Sequence, residues 1–179
     1  MVDRRVTLLL LAALGGCATL TPEQCRQADW YELGARDALA GSAPGIIDSH
    51  ARACDRAGVV PDAALWQAGY NETLPRFCVG AYGYRLGARD GTYHGQCPPE
   101  LEREFLDGFR LGQDVHDLEG QIREVEENIE RLRQSMRDEH ATEASREADG
   151  RWLEHYKDER ERLQRRLWNL QDRARERGY

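Results

Sequence analysis

Five cysteines (Cys17, Cys25, Cys54, Cys78 and Cys97) and five histidines (His50, His94, His116, His140 and His155) are the side chains whose chemistry could go beyond packing. Pairs at Cys-x-x-Cys, His-x-x-x-His or His-Glu-x-x-His spacing would hold a transition metal, and a thiolate in an electropositive setting would act as a nucleophile or redox group. None of these spacings occurs, and His94-x-x-Cys97 is one isolated half-match. A nucleophile elbow, a phosphate-cradling Gly-x-x-x-x-Gly-Lys and a dinucleotide fingerprint behind a strand pattern are also missing. Carboxylate pairs such as Glu126-Glu127 fall on a polar helix face, where solvated charge is the ordinary outcome. The expectation is a protein that is not an enzyme and takes no metal and no cofactor.

The N-terminus gives the sulfurs a compartment. Asp3-Arg4-Arg5 precedes an apolar run over residues 6–14, too short to cross and remain in a hydrocarbon core about 30 Å thick, and the run closes on Leu14-Gly15-Gly16-Cys17. This is a signal-peptide pattern. Small residues immediately before Cys17 resemble the lipobox of bacterial lipoproteins, in which that Cys becomes the acylated first residue of the mature chain; the alternative is an ordinary secretory peptide that leaves a free thiol. Ala18 follows, not the Asp that resembles an inner-membrane retention signal, so the resemblance implies an outer-membrane, lipid-anchored protein whose body faces the periplasm. Acyl chains contribute about 0.8 kcal/mol per buried CH₂, and several together anchor a chain lastingly without a transmembrane helix.

In such an oxidising compartment the remaining Cys25, Cys54, Cys78 and Cys97 read as two disulfides, with three connectivities open. The preferred one joins Cys25 to Cys54 and Cys78 to Cys97. Residues 23–40 and 46–57 read as two helices joined through Gly41-Ser42-Ala43-Pro44-Gly45, and an antiparallel pair returns Cys54 to the start of the first helix.

Positioning depends on a degenerate repeat. Tyr31-Glu-Leu-Gly34-Ala-Arg-Asp37 and Tyr84-Arg-Leu-Gly87-Ala-Arg-Asp90 share Leu-Gly-Ala-Arg-Asp, and Trp66-x-x-Gly69 and Phe109-x-x-Gly112 keep the aromatic three residues before the Gly. Uneven spacing excludes a regular solenoid. A Gly inside a helix costs about 1 kcal/mol relative to Ala, so its repetition needs a reason: an aromatic ring covering the bare Gly while another backbone closes over it, or a Gly/aromatic groove for a glycan or peptide. Between Cys78 and Cys97, Gly83, Gly87, Gly91 and Gly95 recur every four residues. The summed Gly penalty argues there for a largely irregular, disulfide-closed loop with about one helical turn. Tyr82, Tyr84 and Tyr93 beside Arg85, Arg89, Asp90 and His94 form the candidate binding surface.

Several of these residues carry a family resemblance. Cys17, Cys25, Asp29-Trp30, Gly34, Cys54, Pro61-Asp62, Trp66-x-x-Gly69, Cys78 and Tyr93-His-Gly95-Gln-Cys97-Pro98 resemble the domain of unknown function 2799 family of Gram-negative envelope lipoproteins. The likeness covers about residues 14–117, and its most specific part is the closing Tyr-x-Gly-x-Cys-Pro. The chain differs from that pattern at Asn71-Glu72-Thr73-Leu74, where another Gly before the Leu is expected. The resemblance implies an extracytoplasmic lipoprotein and assigns no activity.

From Asp117 onward the composition changes. Leu118, Ile122, Val125, Ile129, Leu132 and Met136 alternate steps of four and three, a coiled-coil seam; Leu153, Tyr156, Leu163, Leu167, Leu170 and Ala174 form a second, interrupted by Arg160. Residues 118–136 carry a net charge of −2 and residues 151–177 of +3, so the two stripes suit each other in an antiparallel hairpin. Residues 137–150 hold no Pro and one Gly, which leaves open one long helix that pairs between chains.

The 179 residues, 32% charged with a net charge of −7, support one modest core plus an extension and disfavour nucleic-acid binding. The reading is a mainly α protein: 1–16 lipoprotein signal peptide, 17–24 lipidated tether, 25–117 disulfide-braced repeat domain with a Gly-rich loop, 118–179 coiled-coil helical hairpin. Expected partners are the membrane through the anchor, an envelope protein through the coiled coil and, as the alternative function, a glycan or peptidoglycan at the tyrosines.

Overall fold

The computed structural model describes residues 20–179, so the expected signal peptide and the expected lipidation site Cys17 lie outside the described residues. Among the described residues there are seven helices: α1 Pro22–Arg26, α2 Trp30–Leu39, α3 Ile46–Asp55, α4 Ala63–Phe77, α5 Gly80–Ala88, α6 Pro99–Arg137 and α7 Glu143–Glu176. The mainly helical, disulfide-bonded architecture follows the sequence reading, with two corrections.

The first expected helix is two. Asp29 has extended backbone, and its carboxylate accepts the Glu32 N–H at 3.1 Å, the N-cap of a new helix. α1 is opened separately by a capping box, in which the Thr21 side chain accepts from Gln24 N–H and the Gln24 side chain returns the bond to the Thr21 backbone. Asp62 likewise caps α4 by accepting from Leu65 N–H at 2.9 Å.

The segment between Cys78 and Cys97 is not a largely irregular loop. Nine of its residues form α5, buried at Gly80, Gly83, Leu86 and Gly87. The Gly penalty is real for an isolated helix, but here the glycines face α6. A Cβ on Gly83 would collide with the Phe105 carbonyl and one on Gly87 with that of Phe109. Reciprocally, Gly108 rests on the Gly80 carbonyl and Gly112 on that of Tyr84. Backbones this close bring Cα–H groups onto carbonyl oxygens, each contact contributing about 0.5–1 kcal/mol, and tertiary packing thereby overrides propensity.

α2 and α4 cross in the same way: Gly34 rests on the Trp66 carbonyl and Gly69 on the Tyr31 carbonyl. The repeated aromatic-x-x-Gly unit therefore works differently from the expected ring cover. A helix carbonyl at position i points toward i+3 and i+4, and only a residue without Cβ at i+3 lets a neighbouring helix descend onto it. Gly80 fills the aromatic position ahead of Gly83 and serves equally well, so the ring is not what the contact needs.

The joint expected at residue 117 falls inside a helix. α6 runs through it without a break, from Pro99 to Arg137, so its first half belongs to the disulfide-braced core and its second half packs on α7. Two apolar clusters result. The larger includes Trp30, Leu33, Trp66, Tyr70, Phe77, Leu86 and Phe105 with all four described cysteines. The smaller joins Leu118, Ile122, Val125 and Ile129 of α6 to Leu163 of α7, with Leu153, Tyr156, Leu167 and Leu170 half-buried at its edge.

Candidate functional site

Both disulfides are inside. Cys25 pairs with Cys54 and ties α1 to α3, while Cys78 pairs with Cys97 and closes the segment that carries α5. The four residues are between 0% and 5% exposed, so none of these four sulfurs is presented to an incoming thiol or metal ion. Among the described residues, no group of three His, Cys, Asp or Glu side chains is placed to hold a metal.

The candidate binding surface does not assemble as a tyrosine-lined face. Tyr82 is half-buried with its ring 5.5 Å from Phe77, and the Arg85 guanidinium lies 4.4 Å over its outer face. Tyr93 packs 4.7 Å from Phe105; its hydroxyl donates to Glu102 at 3.0 Å and accepts the Cys97 N–H at 3.1 Å. Tyr84 turns the other way, toward Tyr179, with ring centroids 6.2 Å apart. Burial raises the phenol pKa of both Tyr84 and Tyr93, as expected for rings that support the fold. Arg85, Arg89, Asp90 and His94 are exposed, and Asp90, with φ of 55°, ends α5 in the left-handed region.

The polar groups with the most defined geometry lie elsewhere. Asp37 Oδ2 is 2.9 Å from His50 Nε2 and accepts the Trp66 indole N–H at 2.8 Å, so one carboxylate oxygen joins α2, α3 and α4. His50 is 3% exposed. The Trp66 ring stacks on Tyr70, whose hydroxyl donates to the Ser42 carbonyl at 2.7 Å. Burial, then the nearby Asp37, pushes the Tyr70 phenol up to about 12. Buried Gln96 donates from Nε2 to the Gly41 carbonyl at 2.9 Å, and Gly41, with φ of 72°, presses on the Phe77 ring. The 41–42 turn is thus held both by α4 and by the segment leading to α6.

In the sequence His50 is only one of five scattered histidines, and Gln96 carries no pattern that gives it a role. Nothing local signals either: His50 is 13 residues from Asp37 and Gln96 is 55 from Gly41. A polar residue flanked by apolar neighbours on a helix face, as His50 is within α3, is the one hint available.

A cleft between α6 and α7 is lined by Asp114, Asp117 and Gln121 on one side and Arg166, Asn169 and Arg173 on the other. Acidic side chains of α6 therefore face basic side chains of α7 in this cleft. Trp168, beside Arg165 on the outer side of α7, is 66% exposed.

These positions account for the motif that carries the resemblance. Asp29 and Asp62 are caps, Gly34 and Gly69 make a helix crossing, the cysteines form bridges, and Tyr93 holds the Cys97 backbone. Residues 29–114 match the family described as a protein of unknown function, DUF2799. The matched segment ends inside α6, so it comprises the two glycine-mediated helix crossings and leaves out most of the α6 stretch that packs on α7. Comparison with curated proteins and with solved structures gives no match. Among the described residues no helix is long and apolar enough to cross a membrane.

Proposed function

We propose that this protein is a non-enzymatic lipoprotein of the outer membrane, anchored through acylated Cys17, whose disulfide-braced DUF2799 unit carries α6 and α7 into the periplasm as a coiled-coil arm for contact with another envelope protein. The observation that carries the reading is the use made of its chemically capable side chains: all four remaining cysteines are bridged and buried, and the His50, Asp37 and Trp66 groups are bonded to one another. Such a body holds a shape. The lipobox before Cys17 supports the anchor, and the even cysteine set supports an oxidising compartment.

The experiment is fractionation of the full chain and its Cys17→Ser variant, paired with cross-linking in intact envelopes. The parent is expected in the outer-membrane fraction and the variant, once processing is verified, in the soluble periplasm, with a partner captured through the arm. Equal membrane association of a processed Cys17→Ser chain removes the anchor. Sedimentation with purified sacculi that Tyr82→Ala and Tyr84→Ala abolish would replace the arm by a glycan site.

A further inference from the structure

The turn between α6 and α7, residues 138–142, is built from Asp138, Glu139, His140, Ala141 and Thr142, with no Gly, no Pro and no positive φ. Nothing in its composition forbids a helix. It stays bent through polar bonds, most of them exposed: His140 N–H donates to the Asp138 carboxylate at 2.8 Å, Thr142 caps α7, and Arg146 donates to the half-buried Met136 carbonyl at 3.3 Å and to the Asp138 carbonyl at 3.1 Å. The two stripes are also in frame across it. Met136 and Leu153 are 17 residues apart, the distance that steps of three, four, three, four and three produce, so a straightened helix would carry both on one side. Beyond that, α7 packs extensively on α6 and reaches the body through Tyr179, whose ring covers Gly80. It can leave without unthreading anything.

We propose that α7 exchanges between two copies of this chain. Straightening 138–142 makes one helix from Pro99 to Glu176, about 117 Å at 1.5 Å per residue, and the α7 of a second copy covers Leu118, Ile122, Val125 and Ile129. Leu118 lines the same cleft as Leu170, so this pairing is centred on Ala144, midway between them. An antiparallel partner then brings Glu143 of each copy opposite Arg146 of the other, and the arginines that hold the bend find new carboxylates when it opens. Domain exchange of this kind reuses the α6–α7 packing of the closed form and replaces the polar bonds of the bend with the helical bonds of the straightened turn. The surface already shaped for a second copy is the one α7 occupies.

The inference does not depend on lipidation, and its test reads strand exchange directly. Gln121 and Asn169 are exposed and line one cleft. Full chains carrying Gln121→Cys alone and Asn169→Cys alone are co-expressed and treated with a short bismaleimide, beside a chain carrying both changes. Exchange is expected to give a covalent species of twice the chain mass from the mixture. Glu139→Pro is the decisive control. Ala141 N–H bonds the Asp138 carbonyl at 3.1 Å and Asp138 has φ −62° and ψ 130°, so position 139 is the second residue of a turn that accepts Pro after an extended residue. The same Pro breaks a continuous helix, and it should lower the mixed product about a hundredfold while sparing the intrachain link. A mixture that yields no product while the double variant links within one chain overturns the proposal. So does a mixed product that survives Glu139→Pro, which would mean closed hairpins meeting side by side.

Discussion

Gly34 and Gly150 lie within helices of the same protein and should respond in opposite ways to one added methyl. At Gly34 a Cβ would fall on the Trp66 carbonyl, and no rotamer relieves a collision with backbone. Gly34→Ala is expected to lower stability by at least about 2 kcal/mol, in the manner of an overpacked core. At Gly150 a Cβ meets nothing within 4 Å, and Gly150→Ala should raise stability by up to about 1 kcal/mol through helix propensity and a less flexible unfolded chain. Thermal unfolding of the two variants against the parent checks both signs. Tyr70 gives a pH test. Its phenol is held up to about 12 against an ordinary value of 10, so the folded state retains a proton that the unfolded state releases. The stabilisation is complete below pH 10 and is lost as pH rises toward 12. Alkaline unfolding followed by circular dichroism and tyrosinate absorbance should therefore fall in that window, and Tyr70→Phe should weaken the dependence.

Among the elements, α7 is held differently from the others. Only Leu163 and Ala174 of its residues are buried, and its apolar stripe is interrupted by Arg160, whose Nε is buried and makes no hydrogen bond among the described residues. Arg160→Leu is expected to strengthen the α6–α7 packing by about 1 kcal/mol, since the cost of a desolvated, unpaired donor disappears and the stripe closes. Hydrogen exchange along α7 would report it as slower opening. The disulfides act on the other helices. Cys78 and Cys97 are 19 residues apart, Cys25 and Cys54 are 29 apart, and loop-closure entropy gives about 3–4 kcal/mol for each bridge. Replacing the Cys78–Cys97 pair by Ser should loosen α5, whose glycines cannot sustain a helix away from α6, and leave the α2–α4 crossing formed.

For the molecule as a whole, two separate apolar clusters threaded by one long helix imply two levels of stability. The larger cluster has fully buried aromatic rings and both bridges, whereas the smaller is half-exposed along its edge. Native-state hydrogen exchange should show residues from about 125 to 160 opening at lower free energy than the body, as a cooperative unit of its own. Because α6 is continuous, that opening frees the first half of α7 while the first half of α6 remains locked against α5.

Much of this architecture was legible in short-range patterns. Cysteine parity anticipated the bridging, and the alternation of three and four marked the stripes of α6 and α7, because each depends on neighbours along the chain or on a count. What needed the folded molecule was everything set by distance in space. The helical state of Gly80–Ala88 depends on Gly108 and Gly112 lying across from it, and the pairing of His50 with Asp37 depends on how α3 lies against α2. The tyrosines looked available because a local reading cannot know that Phe77, Phe105 and Tyr179 will already be against them. Propensity and charge add up residue by residue, but close approach of two backbones is a property of both at once, and neither segment carries it alone.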